Sequence, residues 1–406
     1  MTTQIIEAIR KGEIFHAHRA YGSKRFFFST EDLEFGFIYF LGHATHGACA
    51  IGEMLYLADQ YVEKKPETWI EAAVSMADRI EARARRSLEN GHIISAREGF
   101  LRASYYHRLA TAMISPRKET ATWRAHFKRS RALFKEAAIL FEPAMEYFEI
   151  PFEGTVLPGY FLKPNSSDTP RKTLLMIGGG ETFAEDLYFY IAPAAIARGY
   201  NFMTVDLPGQ GGLPLEGVYF RADVEIPMKT VVDYALSRPD VDPDRLAAYG
   251  ISGGGYYVPR AAAYEKRIKA CIANSLLYDL DRILKSSLLQ FGDLFKKYDP
   301  MTYYIVDMIA WRWGAKNPLG LIPKNKDFKF DPSLIMCPSL ILIGEGEYQG
   351  SKEAKRQQHS GLEAIQNPRK ELVIAPLNEG GGHHVIGENL TLMSQIVFDW
   401  LDDILA

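Results

Sequence analysis

The chain has 406 residues, a formal charge of -3, 47% hydrophobic and 24% charged residues, values of a soluble folded protein of roughly two domains rather than a disordered or fibrous one. That balance supplies no basic footprint for nucleic acid and no attraction to an anionic membrane, and no apolar run reaches the roughly eighteen residues that would cross a bilayer. Cys49, Cys271 and Cys337 lie far apart, so no disulfide scaffold is implied and a reducing cytoplasm is the expected location.

The first residues carry Glu7, Arg10, Lys11 and Glu13 with no long apolar stretch behind them, so a secretory signal is not expected. Residues 1–144 read as helical. From 33 to 61 the apolar residues keep a helical period, but glycines at 36, 42, 47 and 52 either permit close helix packing or mark a break. Residues 67–89 are rich in Ala, Arg, Glu and Met without an internal proline, and Arg83, Arg85 and Arg86 read as a solvated face. Ser95 with Glu98 three positions on suggests a capping box that opens a helix over 95–113. A further helix spans about 119–140 and ends before Pro143. His43, His46 and Cys49 recur at spacings of three, and His16 and His18 stand two apart. No fourth ligand is supplied locally, so a metal site is not expected.

From Met145 the pattern changes. Alternation through Tyr147, Glu149 and Phe152, then Glu153-Gly154 and a resumed extended pattern over 160–163, predicts a hairpin. Short apolar runs follow at 173–177, 202–205, 246–249, 270–273, 339–343 and 371–374, with helical stretches at 187–198, 222–237, 256–264 and 390–405. Buried strands alternating with helices imply βαβ units and a mostly parallel sheet. Residues 274–333 break the alternation and hold Tyr278, Phe291, Phe295, Tyr298, Tyr303, Tyr304, Trp311 and Trp313. They read as a helical insertion placed to roof a site at the C-terminal ends of the strands. The predicted division is a helical domain over 1–144 and a catalytic domain over 145–406 with an insertion at about 274–333.

Gly250-Ile251-Ser252-Gly253-Gly254 sits between a predicted strand and a predicted helix. Small residues two positions either side let the chain turn sharply and leave the serine hydroxyl standing clear. That hydroxyl needs a base, and in an α/β-hydrolase the chain order is Ser, acid, His. Gly380-Gly381-Gly382-His383-His384 offers two candidate bases, between which spacing does not choose. Gly344-Glu345-Gly346-Glu347 offers two acids; Glu347 has the better distance from the strand end, with Glu345 as the alternative. An oxyanion hole needs two backbone N–H groups, and the sequence places them at Gly253 and at Gly180 or Glu181 in the tract Gly178-Gly179-Gly180-Glu181-Thr182. That tract lacks the Lys-Ser/Thr pair of a nucleotide loop. Asp206, in Asp206-Leu207-Pro208-Gly209-Gln210-Gly211, reads as a residue that fixes backbone geometry. This chemistry calls for no cofactor and no metal.

Further motifs accompany these: Ser95-Ala96-Arg97, Ala103-Ser104-Tyr105-Tyr106 with Arg108, Glu185-Asp186-Leu187, and Leu392-Met393-Ser394-Gln395 leading to Phe398-Asp399-Trp400. Together the set resembles the α/β-hydrolase family of 2,6-dihydroxypseudooxynicotine hydrolase, the fungal heptaketide-shortening hydrolases and the polyketide-shortening hydrolase of bacterial anthraquinone biosynthesis. The resemblance covers nearly the whole chain. It implies an α/β-hydrolase fold with a mostly parallel central sheet, an N-terminal helical domain and a helical insertion. It implies His384 as the base, from its distance to the Leu392-Met393-Ser394-Gln395 helix, and an acid at Glu347 where relatives commonly carry Asp. It further implies a site in a cleft between the two domains, carbon–carbon hydrolysis of an aromatic β-dicarbonyl compound, and a homodimer. An esterase or acyl-peptidase with the same triad is the alternative. In the helical domain, Phe37, Tyr39, His43 and Tyr105 are the residues suited to hold a planar hydroxylated molecule; no nucleic-acid or membrane partner is expected.

Overall fold

The computed structural model describes residues 26–29, 31–286 and 300–406. His16, His18, Phe291, Phe295, Tyr298 and the side chain of Tyr303 lie outside the described residues. Helices come first: α1 Glu31–Gly42, α2 Ile51–Gln60, α3 Pro66–Glu89, α4 Ile93–Thr111 and α5 Thr120–Ala138. The glycines between 33 and 61 serve both predicted ends. Gly47, at φ 82°, follows a short 3-10 turn and separates α1 from α2. Gly42 packs so closely that a Cβ there would overlap the carbonyl oxygen of Gly387. Helix α4 begins two residues before the expected capping box; His92 is its cap residue without a side-chain hydrogen bond, and Ser95 lies inside the helix.

The hairpin β1 Glu146–Phe152 and β2 Thr155–Leu162 turns through Glu153 and Gly154, both at positive φ. Next come β3 Arg171–Ile177, α6 Ala184–Ala197, β4 Asn201–Val205, α7 Glu225–Leu236, β5 Val241–Ile251, α8 Gly254–Tyr264 and β6 Ala270–Asn274. After the inserted helices α9 Leu280–Ser286, α10 Pro300–Arg312 and α11 Leu321–Lys324, the chain closes with β7 Ser339–Gly344, α12 Glu345–Gly350, α13 Lys352–Ala364, β8 Lys370–Ala375 and α14 Leu390–Ile404. The eight strands form one sheet in the order β1-β2-β4-β3-β5-β6-β7-β8. The first two pairings are antiparallel and the rest parallel. This is the α/β-hydrolase fold.

Strand periodicity of two divides the core. On β3, Leu174 and Met176 face a cluster shared with α4, α6 and α14, whereas Leu175 and Ile177 face the cluster with α7 and α8. The N-terminal helices therefore lie on one face of the sheet and share its core, through contacts such as Phe134 with Tyr160 and Tyr105 with Phe189. Burying each such aromatic or aliphatic side chain contributes roughly 1.5–3 kcal/mol, which holds this segment against the sheet without a flexible linker. No described helix is long and apolar enough to cross a membrane.

Candidate active site

Loops at the C-terminal ends of β3, β5, β6, β7 and β8 meet at one edge of the sheet. Ser252 follows β5 and takes φ 54°, a left-handed conformation that is strained for a residue with a side chain. The turn is tight: a Cβ on Gly250 would overlap the carbonyl oxygen of Gly254. This is the physical reason for small residues on either side of Ser252. The Ser252 N–H donates to the Asn274 carbonyl at the end of β6 (2.7 Å), and Gly255 N–H donates back to the Ser252 carbonyl (2.8 Å).

The acid and base loops are joined backbone to backbone. Gly346 and Glu347 both donate N–H bonds to the Gly382 carbonyl (2.9 and 3.3 Å). Glu347 Oε1 then lies 2.8 Å from His384 Nδ1, and Glu347 Oε2 accepts from Ser275 Oγ at 2.8 Å. Burial opposes the charged imidazolium, but the Glu347 charge and hydrogen bond outweigh it and raise the His384 pKa above its ordinary value. The competing residues face elsewhere. Glu345 accepts from Leu377 N–H (2.7 Å) and from Gln349 Nε2 (2.7 Å). His383 turns to Glu388, which lies 3.3 Å from its Nδ1 and accepts its backbone N–H at 2.6 Å.

Val385 and Ile386, directly after His384, also take positive φ (57° and 54°). For β-branched residues this is a costly conformation, and a buried polar network holds it. Tyr190 donates to the Val385 carbonyl at 2.5 Å. Asn274 Nδ2 donates to the same carbonyl (3.2 Å) and to the Tyr249 hydroxyl (3.1 Å). Tyr190→Phe is expected to cost about 1 kcal/mol of stability, read as a lower midpoint in urea unfolding; an unchanged midpoint would mean that Asn274 alone satisfies Val385.

The glycine tract after β3 lies against the nucleophile. A Cβ on Gly179 would sit 2.6 Å from Ser252 Cβ, and one on Gly253 would sit 3.2 Å from Gly180 N. The Gly179 N–H is taken by Thr182 Oγ1 (2.8 Å), and Gln210 Nε2 holds the carbonyls of Gly178 and Gly179 (2.6 and 3.2 Å). Asp206 accepts from Ala184 N–H (2.8 Å) and pairs with Arg131 (2.5 Å), so it fixes backbone geometry. Arg108 on α4 donates to the Glu181 carbonyl (3.1 Å) and pairs with Asp186 (2.9 Å). Through Arg108 the N-terminal helices set the shape of this loop.

A cavity of about 210 Å³ opens onto Ser252, Gly180, Glu181 and His384. Its far wall comes from the N-terminal helices, among them Phe37, Tyr39, Phe40 and Trp69, and its roof from Ile305, Met308 and Ile309 of the insertion. Of the four residues suited to hold a planar molecule, Phe37 and Tyr39 line it. His43 and Tyr105 do not: His43 Nδ1 and the Tyr105 hydroxyl pair at 2.6 Å in the core, and the hydroxyl donates to the Phe40 carbonyl. Burial, with nearby His46 and Arg108, pushes the His43 pKa down to about 3, so it is a neutral packing residue. Among the described residues no group of three His, Cys, Asp or Glu side chains could hold a metal ion.

The residues missed from sequence are Ser275, Asn274, Tyr190 and the role of Arg108. Only Arg108 and Asp186 carried a signal, as members of the motif set. The family model described as "Esterase FrsA-like" matches residues 65–317. A hydrolyase, poxO, from Penicillium oxalicum is 34% identical over 264 residues, which span 63% of this chain and 62% of that relative. The 20-hydroxy-prefusarin hydrolase FUS2 of Gibberella moniliformis is 29% identical over 93% of this chain and 98% of its own length. Among solved structures, 2,6-dihydroxy-pseudo-oxynicotine hydrolase matches with a TM-score of 0.73 and 23% identity, over 90% of this chain and 95% of that one; at that identity the likeness carries the fold.

Proposed function

The chain belongs to the FrsA-like esterase family, and we propose that within it the protein is a serine hydrolase that cleaves a carbon–carbon bond next to a ketone, in an aromatic polyketide or related aryl β-dicarbonyl compound. The observation that carries this reading is the aromatic-lined cavity that reaches Ser252 and His384. Such walls suit a flat ring system, and binding energy remote from the reacting bond can hold the ketone against the serine. Relatives named as a 2,6-dihydroxy-pseudo-oxynicotine hydrolase and a 20-hydroxy-prefusarin hydrolase support hydrolysis of a hydroxylated small molecule.

In this reading Glu347 holds His384 Nδ1, which leaves Nε2 to take the proton of Ser252. Ser252 Oγ adds to the ketone carbon, and the new oxyanion is met by the N–H groups of Gly253 and of Gly180 or Glu181. The carbon–carbon bond then breaks, its electron pair leaves as an enolate, and His384 returns the proton to carbon. Water, activated by His384, releases the acyl group from Ser252 as a carboxylic acid. The test is product analysis after incubation with aromatic polyketide extracts, with and without Ser252→Ala; a shortened ketone and a matching acid are expected only with the intact serine. Turnover of acyl esters alone would favour an esterase or acyl-peptidase with the same triad, the reading closest to the family description.

His384→Ala is expected to lower kcat by about 10⁶-fold, the scale of losing a triad base, and His383→Ala by less than about tenfold. The Glu388 and Glu347 partners of the two rings motivate the contrast, and steady-state kinetics of both variants on one ester check it. The proposal includes a cytoplasmic homodimer working without cofactor, for which sedimentation of the purified chain gives the mass.

A further inference from the structure

Beside Ser252 and His384 the cavity continues into a second chamber of about 60 Å³, to which Arg108, Thr182 and Asp186 add polar surface. The main cavity is walled chiefly by aromatic and aliphatic side chains, and the smaller chamber adds a charged pair, Arg108 and Asp186, that the main cavity lacks. Arg108 is only 5% exposed. Its Nε donates to both Asp186 oxygens (3.2 and 2.9 Å), its Nη2 to the Glu181 carbonyl, and its Nη1 makes a long contact with Thr111 Oγ1 (3.5 Å). A guanidinium carries five N–H groups, and these bonds occupy three nitrogens with one N–H each. The guanidinium also lies over the Phe183 and Phe40 rings (4.3 and 5.5 Å to the centroids), and by count one N–H on Nη1 and one on Nη2 remain for an oxygen in the chamber that Arg108 lines.

We propose that the small chamber receives the second carbonyl oxygen of a β-dicarbonyl substrate, and that Arg108 donates a hydrogen bond to it as it becomes the enolate oxygen. The inference rests on the carbon–carbon reading above. When the bond between the Ser252-bound carbon and its neighbour breaks, the electron pair forms the enolate carbon–carbon double bond and the charge passes to that second oxygen. A fixed guanidinium there stabilises charge that exists only after cleavage begins. Asp186 balances Arg108 in the resting state, so the chamber suits a neutral ketone better than a ready-made carboxylate. An ordinary ester places no such oxygen in the chamber, so Arg108 distinguishes the two chemistries.

The full-length Ser252→Ala protein, which retains the chamber, provides the test. Calorimetric titration is expected to show 1-phenyl-1,3-butanedione binding about 10- to 100-fold tighter than butyrophenone, which lacks the second carbonyl. Adding Arg108→Lys is expected to remove that preference, read as the ratio of the two affinities in the same protein. A spectrophotometric titration of the bound diketone, which needs no Arg108 variant, is expected to place enolate formation about one pH unit or more below that of the free diketone. Equal affinity for the two ketones, or an unmoved enolate transition, overturns the proposal. So does an Arg108→Lys protein that loses both affinities in parallel, since Arg108 would then act only by holding the Glu181 carbonyl. If the native chain cleaves no diketone while the preference and its Arg108 dependence persist, the carbon–carbon reading falls and the chamber's specificity stands.

Discussion

Replacement of Ser252 by alanine is expected to lower kcat by about 10⁶-fold, the loss measured when a triad nucleophile is removed. The residue has no second function to confuse the result. It contributes its backbone to the elbow through bonds to Asn274 and Gly255, which alanine keeps, and its side chain faces the cavity. Stability should therefore change by no more than about 0.5 kcal/mol. A second substitution separates chemistry from strain. Ser252 holds φ 54°, and glycine has no Cβ to oppose that conformation, so Ser252→Gly is expected to be equally inactive and about 1 kcal/mol more stable than the native chain. Thermal unfolding and steady-state kinetics on one ester measure both effects. Retained turnover in either variant would remove Ser252 from the reaction. A Ser252→Gly protein less stable than Ser252→Ala would show that the elbow is not where strain is held.

The strands could be read in advance because parallel strands buried on both faces appear as unbroken apolar runs. The runs at 173–177 and 339–343 lie on β3 and β7. Strand β5 begins earlier than its apolar run, at Val241, because Asp242, Pro243 and Asp244 break the pattern while the backbone is already extended. The start of α4 escaped for a related reason: Ile93 and Ile94 are largely exposed, so the first turn shows no apolar face and Ser95 with Glu98 imitates a cap. The site divides in the same way. Ser252 is announced by its place between a strand and a helix, and Glu347 by its distance from the strand end, but local spacing left His383 and His384 equal and only the resemblance favoured His384, the ring that lies 2.8 Å from Glu347. His43 and Tyr105 resemble pocket residues locally but meet each other across 62 positions. Arg108 meets Asp186 across 78. Contacts of that span are settled by how the helices pack on the sheet, and no local pattern encodes them.

Glu347→Gln is expected to lower kcat by about 10⁴-fold, the scale of losing the charge that orients a triad histidine. The amide fills the same space and can still accept from Ser275, whose hydroxyl now lies 2.8 Å from Glu347 Oε2, so the fold should persist. What changes is the imidazole. Glutamine can present an N–H to His384 Nδ1, which forces the proton onto Nε2 and blocks it from taking the serine proton. The charge is also gone. Burial lowers the His384 pKa and Glu347 raises it, with the net effect upward in the native chain. A base works only when neutral, so native kcat/KM should fall as pH drops through a value above the ordinary imidazole range. In the Gln variant only burial remains, and the acid limb should move to lower pH. Glu345→Gln serves as the comparison, because Glu345 faces Leu377 and Gln349 and should leave both kcat and the limb nearly unchanged. Kinetics of the three proteins across pH 5–9 decide the matter. An acid limb that moves with Glu345 rather than Glu347 would transfer the role, and one that moves with neither would mean that His384 is not the titrating base.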